Sequence, residues 1–190
     1  KFPFAFRLSS TYTLQSTSVV HRVQVENQSG EVMPFSLGYH PGFACPFDAA
    51  HGTQDYVLRF DVPQTPAVVE VDEATGLVTG GTHTLFENGT DIPLTDHLFD
   101  HDSICMTNLT ARSLSLVEAG TGRGVSVDIT GFPYVLVWSV KGPVQFVCIE
   151  PWQSLPGAED DPQDWNQRAA AACLAPGEAW STTLSTTFER

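Results

Sequence analysis

Positive charge is scarce in this sequence. Nine Lys and Arg residues face 22 Asp and Glu residues, which gives a formal net charge of −13. A surface with that balance repels phosphate backbones and anionic lipid headgroups. The composition therefore argues against nucleic-acid and membrane partners, and it is compatible with neutral ligands such as sugars.

Long apolar runs are also absent. No stretch approaches the ~18 consecutive apolar residues of a membrane-spanning helix. The hydrophobic content of 42% is nevertheless too high for a disordered chain. A length of 190 residues favours one domain spanning 1–190. The first residues show no signal-peptide pattern, and we predict a cytoplasmic protein.

Motifs for metals and phosphates are missing. The four cysteines have neither C-x-x-C spacing nor a histidine at metal-ligand spacing: they are Cys45, Cys105, Cys148 and Cys173. No G-x-S-x-G or H-E-x-x-H sequence occurs. The glycine-rich stretch 120–124 lies between two predicted strands, so we interpret it as a turn.

The sequence does contain the alternating pattern of apolar and polar residues that is typical of β-strands. At the N-terminus Phe4, Phe6 and Leu8 alternate with polar residues, which predicts a half-buried strand. Similar runs predict strands at 2–14, 19–26, 55–62, 68–71, 113–117, 125–129, 134–140, 144–149 and 184–188. The best helix candidate is short and begins at Asp161 and Pro162, reaching to Ala172. Many short strands joined by turns predict an all-β protein, an antiparallel sandwich or barrel.

Two segments carry residues suited to proton transfer. His40 follows Gly38 and Tyr39 and precedes Pro41, which ends regular strand pairing. An imidazole in such a place can act as a general acid, although a single histidine is more often structural. Glu150 follows the apolar run 146–149, and burial there would raise its pKa and suit it as a general base. The alternative interpretation is that Glu150 lies at a strand end and that its side chain reaches solvent.

A third segment, 98–104, contains Asp100 and Asp102. Its acids could bind sugar hydroxyls or calcium, although the ligands are too few for a calcium loop of the EF-hand type. By spacing alone the segment is a polar turn before the next strand.

Five blocks in order resemble the aldose 1-epimerase, or galactose mutarotase-like, family, in particular a bacterial branch whose sugar specificity is often unassigned. They are Ser36-Leu37-Gly38-Tyr39-His40-Pro41, Leu98-Phe99-Asp100-His101-Asp102, Gly131-Phe132-Pro133-Tyr134-Val135-Leu136-Val137-Trp138, Cys148-Ile149-Glu150-Pro151-Trp152 and Ala175-Pro176-Gly177-Glu178. The resemblance implies a large β-sandwich of the galactose mutarotase (supersandwich) type. It implies no metal and no organic cofactor.

The resemblance also implies roles for individual residues. His40 would protonate the ring oxygen of a free hexose or related aldose, and Glu150 would take the proton from the anomeric hydroxyl. Asp102, or alternatively Asp100, would bind substrate hydroxyls. Tyr39 and Trp152 could present aromatic faces to the sugar, and their alternative is core or rim packing.

Members of this family extend beyond the N-terminus of this chain, with early strands that carry a sugar-binding arginine and a second histidine. Residues 1–15 match neither. We therefore expect the chain to correspond to the middle and C-terminal portion of such a domain. The missing strands would leave open edges, which favour aggregation or a homodimer.

Three functions remain open from the sequence. The first is interconversion of the α and β anomers of an aldose by ring opening and closure. The second is carbohydrate binding or sensing without turnover. The third is an accessory sandwich domain of a larger carbohydrate-active enzyme, in which hydrolysis would need a second carboxylate ~5–10 Å away.

Overall fold

The computed structural model describes residues 2–72, 74–155, 157–158, 160–162, 164–168 and 172–190. In chain order the strands are β1 (Phe6–Gln15), β2 (Ser18–Asn27), β3 (Met33–Phe35), β4 (Gly42–Ala44), β5 (Tyr56–Gln64), β6 (Ala67–Val71), β7 (Val78–Thr84), β8 (Gly89–Pro93), β9 (Ile104–Thr107), β10 (Ser113–Glu118), β11 (Gly124–Asp128), β12 (Tyr134–Trp138), β13 (Phe146–Trp152), β14 (Ala172–Leu174) and β15 (Ala179–Glu189). Two short 3-10 turns complete the described elements, Thr53–Asp55 and Trp165–Gln167. Within the described residues no helix has the length and hydrophobicity to span a membrane.

The strands form an antiparallel β-sandwich, as predicted. A seven-stranded sheet has the order β1-β2-β15-β11-β10-β5-β8, and a six-stranded sheet has the order β4-β13-β12-β9-β6-β7. Strands β3 and β14 form a separate pair. Every predicted strand overlaps an observed one, although the bounds differ, and β3, β4, β7, β8, β9 and β14 were not predicted.

The main core lies between the two sheets. It joins Leu58 and Leu114 of the seven-stranded sheet to Val135 and Ile149 of the six-stranded sheet, all fully buried. Burying such side chains contributes roughly 1.5–3 kcal/mol each. The outer face of the six-stranded sheet is covered too, by a smaller cluster that includes Leu136. Because both faces are buried, β12 and β13 appear in the sequence as nearly continuous apolar runs.

Two local predictions are wrong. The N-terminal strand exists, but all ten residues of β1 are exposed rather than half-buried, because β1 lies at the edge of its sheet and none of its side chains joins the hydrophobic core. The helix from Asp161 to Ala172 is not seen in the described part of that stretch. A 3-10 turn at Trp165–Gln167, capped by Asp164, and the start of β14 stand there instead, and residues 163 and 169–171 lie outside the described residues.

Candidate active site

The loop between β3 and β4 holds His40 against β13. Backbone hydrogen bonds run from Tyr39 N–H to Pro151 O (3.0 Å) and from Ile149 N–H to Pro41 O (3.2 Å). Gly38 forms an isolated bridge with Trp152, and a Cβ atom on Gly38 would collide with the Trp152 ring. The absence of a side chain at Gly38 therefore lets the loop lie flat on the strand.

Glu150 reaches the same place from β13 because side chains alternate along a strand. Val147 and Ile149 point into the main core, and Cys148 and Glu150 point to the opposite face of the sheet. The strand continues through Pro151 to Trp152, beyond the predicted end at 149. Glu150 is a buried mid-strand carboxyl rather than a strand-end residue that reaches solvent.

The two predicted catalytic side chains meet. His40 Nε2 lies 3.4 Å from Glu150 Oε2, with the imidazole side chain 58% exposed and the carboxyl side chain 3% exposed. The imidazole faces solvent, whereas the carboxyl lies beneath it. Trp138, on β12, packs edge-on against His40 with ring centroids 6.1 Å apart.

Burial sets the electrostatics of Glu150. Desolvation raises its pKa from 4.5 to about 7, and the nearby Asp102 carboxylate also raises it. The nearby Trp152 indole acts in the opposite direction and lowers the pKa of Glu150. Near neutral pH the carboxyl can therefore both hold and release a proton, as a general base requires.

The two candidate aspartates differ in their surroundings. Asp102 is exposed, adopts a left-handed backbone with φ 76°, and lies close enough to Glu150 to affect its pKa. Asp100 accepts a hydrogen bond from His97 Nδ1 at 3.0 Å, and its backbone carbonyl accepts one from Lys141. These contacts tie Asp100 to its own loop, so Asp102 is the better candidate for a substrate-binding residue.

The two aromatic candidates, Tyr39 and Trp152, also differ in their surroundings. Tyr39 is buried, and its hydroxyl donates to the backbone carbonyls of Thr182 (2.9 Å) and His21 (3.1 Å). Such contacts hold β2 and β15 together and favour a packing role for the ring. Trp152 is half-buried, donates its indole N–H to Tyr39 O at 3.2 Å, and lines the cavity described next.

A cavity of about 610 Å³ opens beside His40 and Trp152. Its remaining lining residues are Ser36, Leu37, Gly38, Val78, Ser154, Leu155, Gly157, Ala158, Asp161, Trp165 and Arg168. A second cavity of about 520 Å³ lies on the other side of His40, under β1, β2 and β15. Sequence reasoning missed Trp138, Trp165 and Arg168, because spacing along the chain carries no signal for side chains that meet only after folding.

Among the residues that the structure describes, two groups of side chains bring potential metal ligands together. His40, Cys148 and Glu150 place their donor atoms within 4.8 Å of one another, but burial raises the pKa of the Cys148 thiol to about 11. A protonated thiol is a poor ligand. In the second group, Asp48, His51 and Glu118, Arg123 already bonds both carboxylates. Neither arrangement defines a metal centre.

Two antiparallel sheets packed face to face form a β-sandwich of the galactose mutarotase-like type. Comparison with known proteins agrees. Residues 1–186 match the aldose 1-epimerase family. The chain belongs to that family.

Individual relatives give the same result. The chain is 33% identical over 154 residues to the chromosomal LacX protein of Lactococcus lactis subsp. lactis, covering 80% of this chain and 52% of LacX. Among solved structures, a galactose mutarotase related enzyme from Lactobacillus acidophilus superposes with a TM-score of 0.89 at 25% identity. That match covers 100% of this chain and 63% of the other. A galactose mutarotase-like protein from Lactobacillus casei gives 0.83 at 27% identity, covering 100% and 65%. The chain thus spans about half the length of the curated relatives it matches.

Proposed function

We propose that this chain carries the proton-transfer site of an aldose 1-epimerase, which interconverts the α and β anomers of a free aldose. The observation that supports this most directly is the 3.4 Å contact between the exposed imidazole of His40 and the buried carboxyl of Glu150 beside an open cavity. Family membership supplies the reaction class.

The geometry suits the chemistry of anomerisation. Glu150 removes the proton from O1 while His40 delivers one to the ring oxygen, and the C1–ring oxygen bond breaks to give the open-chain aldehyde. Rotation about C1–C2 and reversal of the two proton transfers close the ring as the other anomer. Both oxygens are bonded to C1, so a neighbouring acid and base can serve them together, and each such group typically contributes ~10²–10⁴-fold.

The remaining roles follow from position. Asp102 binds substrate hydroxyls near Glu150, and Trp152 offers an aromatic face at the cavity wall. Tyr39 supports the loop rather than the sugar. No cofactor takes part in these steps. A homodimer formed through the open edge of β1, and a cytoplasmic location, belong to the same proposal.

Sugar binding without turnover is the second candidate. It is favoured by the low exposure of the Glu150 carboxyl, 3%, which limits the access of a sugar hydroxyl to the general base. NMR measurement of anomer exchange, combined with calorimetric sugar titration, separates the two functions.

The deciding experiment uses two variants and a matched control pair. Glu150→Gln and His40→Asn should each reduce catalysed exchange by at least about 10²-fold. His83 and Glu70 provide the control, because their side chains lie 3.5 Å apart on the exposed surface. His83→Asn and Glu70→Gln should leave the exchange rate unchanged. Exchange at the normal rate in Glu150→Gln would remove the assignment.

A further inference from the structure

The Cys148 thiol lies beside the proton-transfer pair, and the proposed reaction does not use it. Its sulfur, an imidazole nitrogen of His40 and a carboxylate oxygen of Glu150 all lie within 4.8 Å of one another. Cys148 and Glu150 are two positions apart on β13, so their side chains project from the same face of the sheet. Three different donor atoms, sulfur, nitrogen and oxygen, therefore meet in one small region.

The two neighbouring strands fix the position of the thiol. Cys148 pairs with Gly42 of β4 on one side and with Trp138 of β12 on the other. A Cβ atom on Gly42 would lie 3.3 Å from the sulfur, which shows how closely β4 approaches it. Cys148 and Glu150 are only 4% and 2% exposed, so the sheet holds both donors in place before any ligand arrives.

The distances suit a tetrahedral zinc ion. Zn²⁺ binds sulfur at about 2.3 Å and nitrogen or oxygen at about 2.0–2.2 Å, so neighbouring ligand atoms lie roughly 3.3–3.7 Å apart. His40 Nε2 and Glu150 Oε2 are already 3.4 Å apart, and the imidazole, 58% exposed, can adjust towards the sulfur of Cys148. Sulfur and imidazole ligands select zinc-like cations, whereas Mg²⁺ and Ca²⁺ prefer oxygen.

Charge balance explains why the cation, and not the bare ligands, completes the site. Without a metal the Cys148 thiol keeps its proton, because burial raises its pKa to about 11, and the three side chains alone are no resident metal centre. A thiophilic cation displaces that proton to solvent and binds the thiolate, with no transfer of electrons. The Cys148 thiolate and the Glu150 carboxylate then neutralise the two positive charges of the ion, so no net charge is buried.

We propose that His40, Cys148 and Glu150 form an inhibitory binding site for a thiophilic divalent cation such as Zn²⁺. The bound ion occupies the imidazole and the carboxyl together, so that metal and sugar exclude each other. The inhibition rests on the proposed function, whereas the binding of the ion does not.

The test measures metal binding directly. Calorimetric titration of the unmodified protein with ZnCl₂ should show a single equivalent bound, and Cys148→Ser should weaken binding at least about tenfold, a difference of ~1.4 kcal/mol. Cys105→Ser is the matched control, because Cys105 is also 4% exposed and pairs with Leu136 on the same face of the sheet, outside the donor group. Cys173→Ser controls for binding at an exposed thiol. Both controls should retain the affinity of the unmodified protein.

Cobalt provides a second measurement that needs no variant. Co²⁺ added to the unmodified protein should give the charge-transfer absorption of a thiolate ligand together with the visible bands of tetrahedral cobalt. A cobalt complex without the thiolate absorption would overturn the proposal. So would equal zinc affinities of Cys148→Ser and the unmodified protein, or a loss of binding in Cys105→Ser or Cys173→Ser instead.

Anomer exchange separates this proposal from the proposed function. Exchange should slow in proportion to the zinc bound and recover when a chelator removes the ion. Full exchange in the zinc-saturated protein would overturn the inhibition. Zinc binding through Cys148 in a protein that shows no exchange without metal would reject the proposed function and leave the metal site standing.

Discussion

Glu150 shows how one residue can serve chemistry at a cost in stability. Its carboxyl is buried, and its contact with His40 is longer than a normal hydrogen bond. Desolvation raises its pKa from 4.5 to about 7, so folding favours the protonated form. Between these values the unfolded chain has already lost the proton that the folded protein retains, and stability falls as the pH rises.

Glu150→Gln should therefore stabilise the protein at neutral and higher pH. The contribution of Glu150 should make the free energy of unfolding of the unmodified protein about 2–3 kcal/mol higher at pH 4.5 than at pH 8. The free energy of unfolding of the Glu150→Gln variant should not show this decrease between pH 4.5 and pH 8. Urea unfolding at several pH values measures the difference, with Glu70→Gln as the exposed control. A constant difference between variant and unmodified protein from pH 4.5 to 8 would contradict the pKa shift.

Gly38 is a second residue whose role is local. Because a Cβ atom there would overlap the Trp152 ring, Gly38→Ala should displace either the ring or the loop that carries His40. We expect a loss of roughly 1–3 kcal/mol in unfolding free energy, together with slower anomer exchange. Gly30→Ala is the control, since a Cβ atom at Gly30 meets nothing within 4 Å. Equal thermal stability and equal exchange in the two variants would show that the close contact has no effect.

At the scale of the element, β1 is unusual. It forms one edge of the seven-stranded sheet, and all ten of its residues are exposed. The apolar side chains of β1 lie at even-numbered positions, on one face of the strand. Among them, Leu8 is 52% exposed and Tyr12 is 66% exposed. Arg7 is its only charged residue, which is little protection for an edge in a chain of net charge −13.

In the isolated 190-residue chain, this edge should pair with the same edge of a second copy. With Ser10 at the two-fold axis of an antiparallel pair, Leu8 stands opposite Tyr12 and Phe6 stands opposite Leu14. Ser10→Lys or Ser10→Glu alone should weaken the dimer, because like charges then face each other. Mixing the two variants should restore it. Sedimentation velocity over a range of concentrations tests this, and an unmodified protein that stays monomeric throughout would rule it out.

At the scale of the whole molecule, a second buried carboxyl connects distant segments. Glu118, at the end of β10, accepts hydrogen bonds from Tyr56 (2.7 Å), Thr121 (2.6 Å) and Arg123 (2.7 Å). Arg123 also bonds Asp48, so the β10–β11 turn is tied to the loop before β5. These donors lower the pKa of Glu118 to about 2, with Thr121 as the largest contributor.

The Glu118 network should make the stability of the protein sensitive to acid. A carboxyl whose pKa falls from 4.5 to about 2 on folding contributes stability that is present above pH 4.5 and lost as the pH approaches 2. Glu118→Gln should lower the melting temperature at pH 6 and make it less sensitive to acid. Melting curves of both proteins from pH 6 to pH 2.5 measure this. Melting temperatures that fall equally in the two proteins as the pH decreases would contradict the prediction.

The sequence by itself determined the all-β class and most of the longer strands. Period-two alternation is a local property, and it located β2 and β5 because their side chains meet the core on alternate positions. It failed for short strands such as β3 and β4, which are too brief to show a period. It also overestimated the burial of β1, since burial depends on what lies opposite the strand.

Tertiary structure alone decided the site. His40 and Glu150 are far apart along the chain, and only the pairing of the β3–β4 loop with β13 brings them to 3.4 Å. The resemblance to a family named both residues, but the local pattern could not show that Glu150 is buried or that Asp102 lies near it. Nor could it place Trp165 and Arg168 at the same cavity. Electrostatics and cavity shape depend on distances across the sheet, and these are set by packing rather than by spacing along the chain.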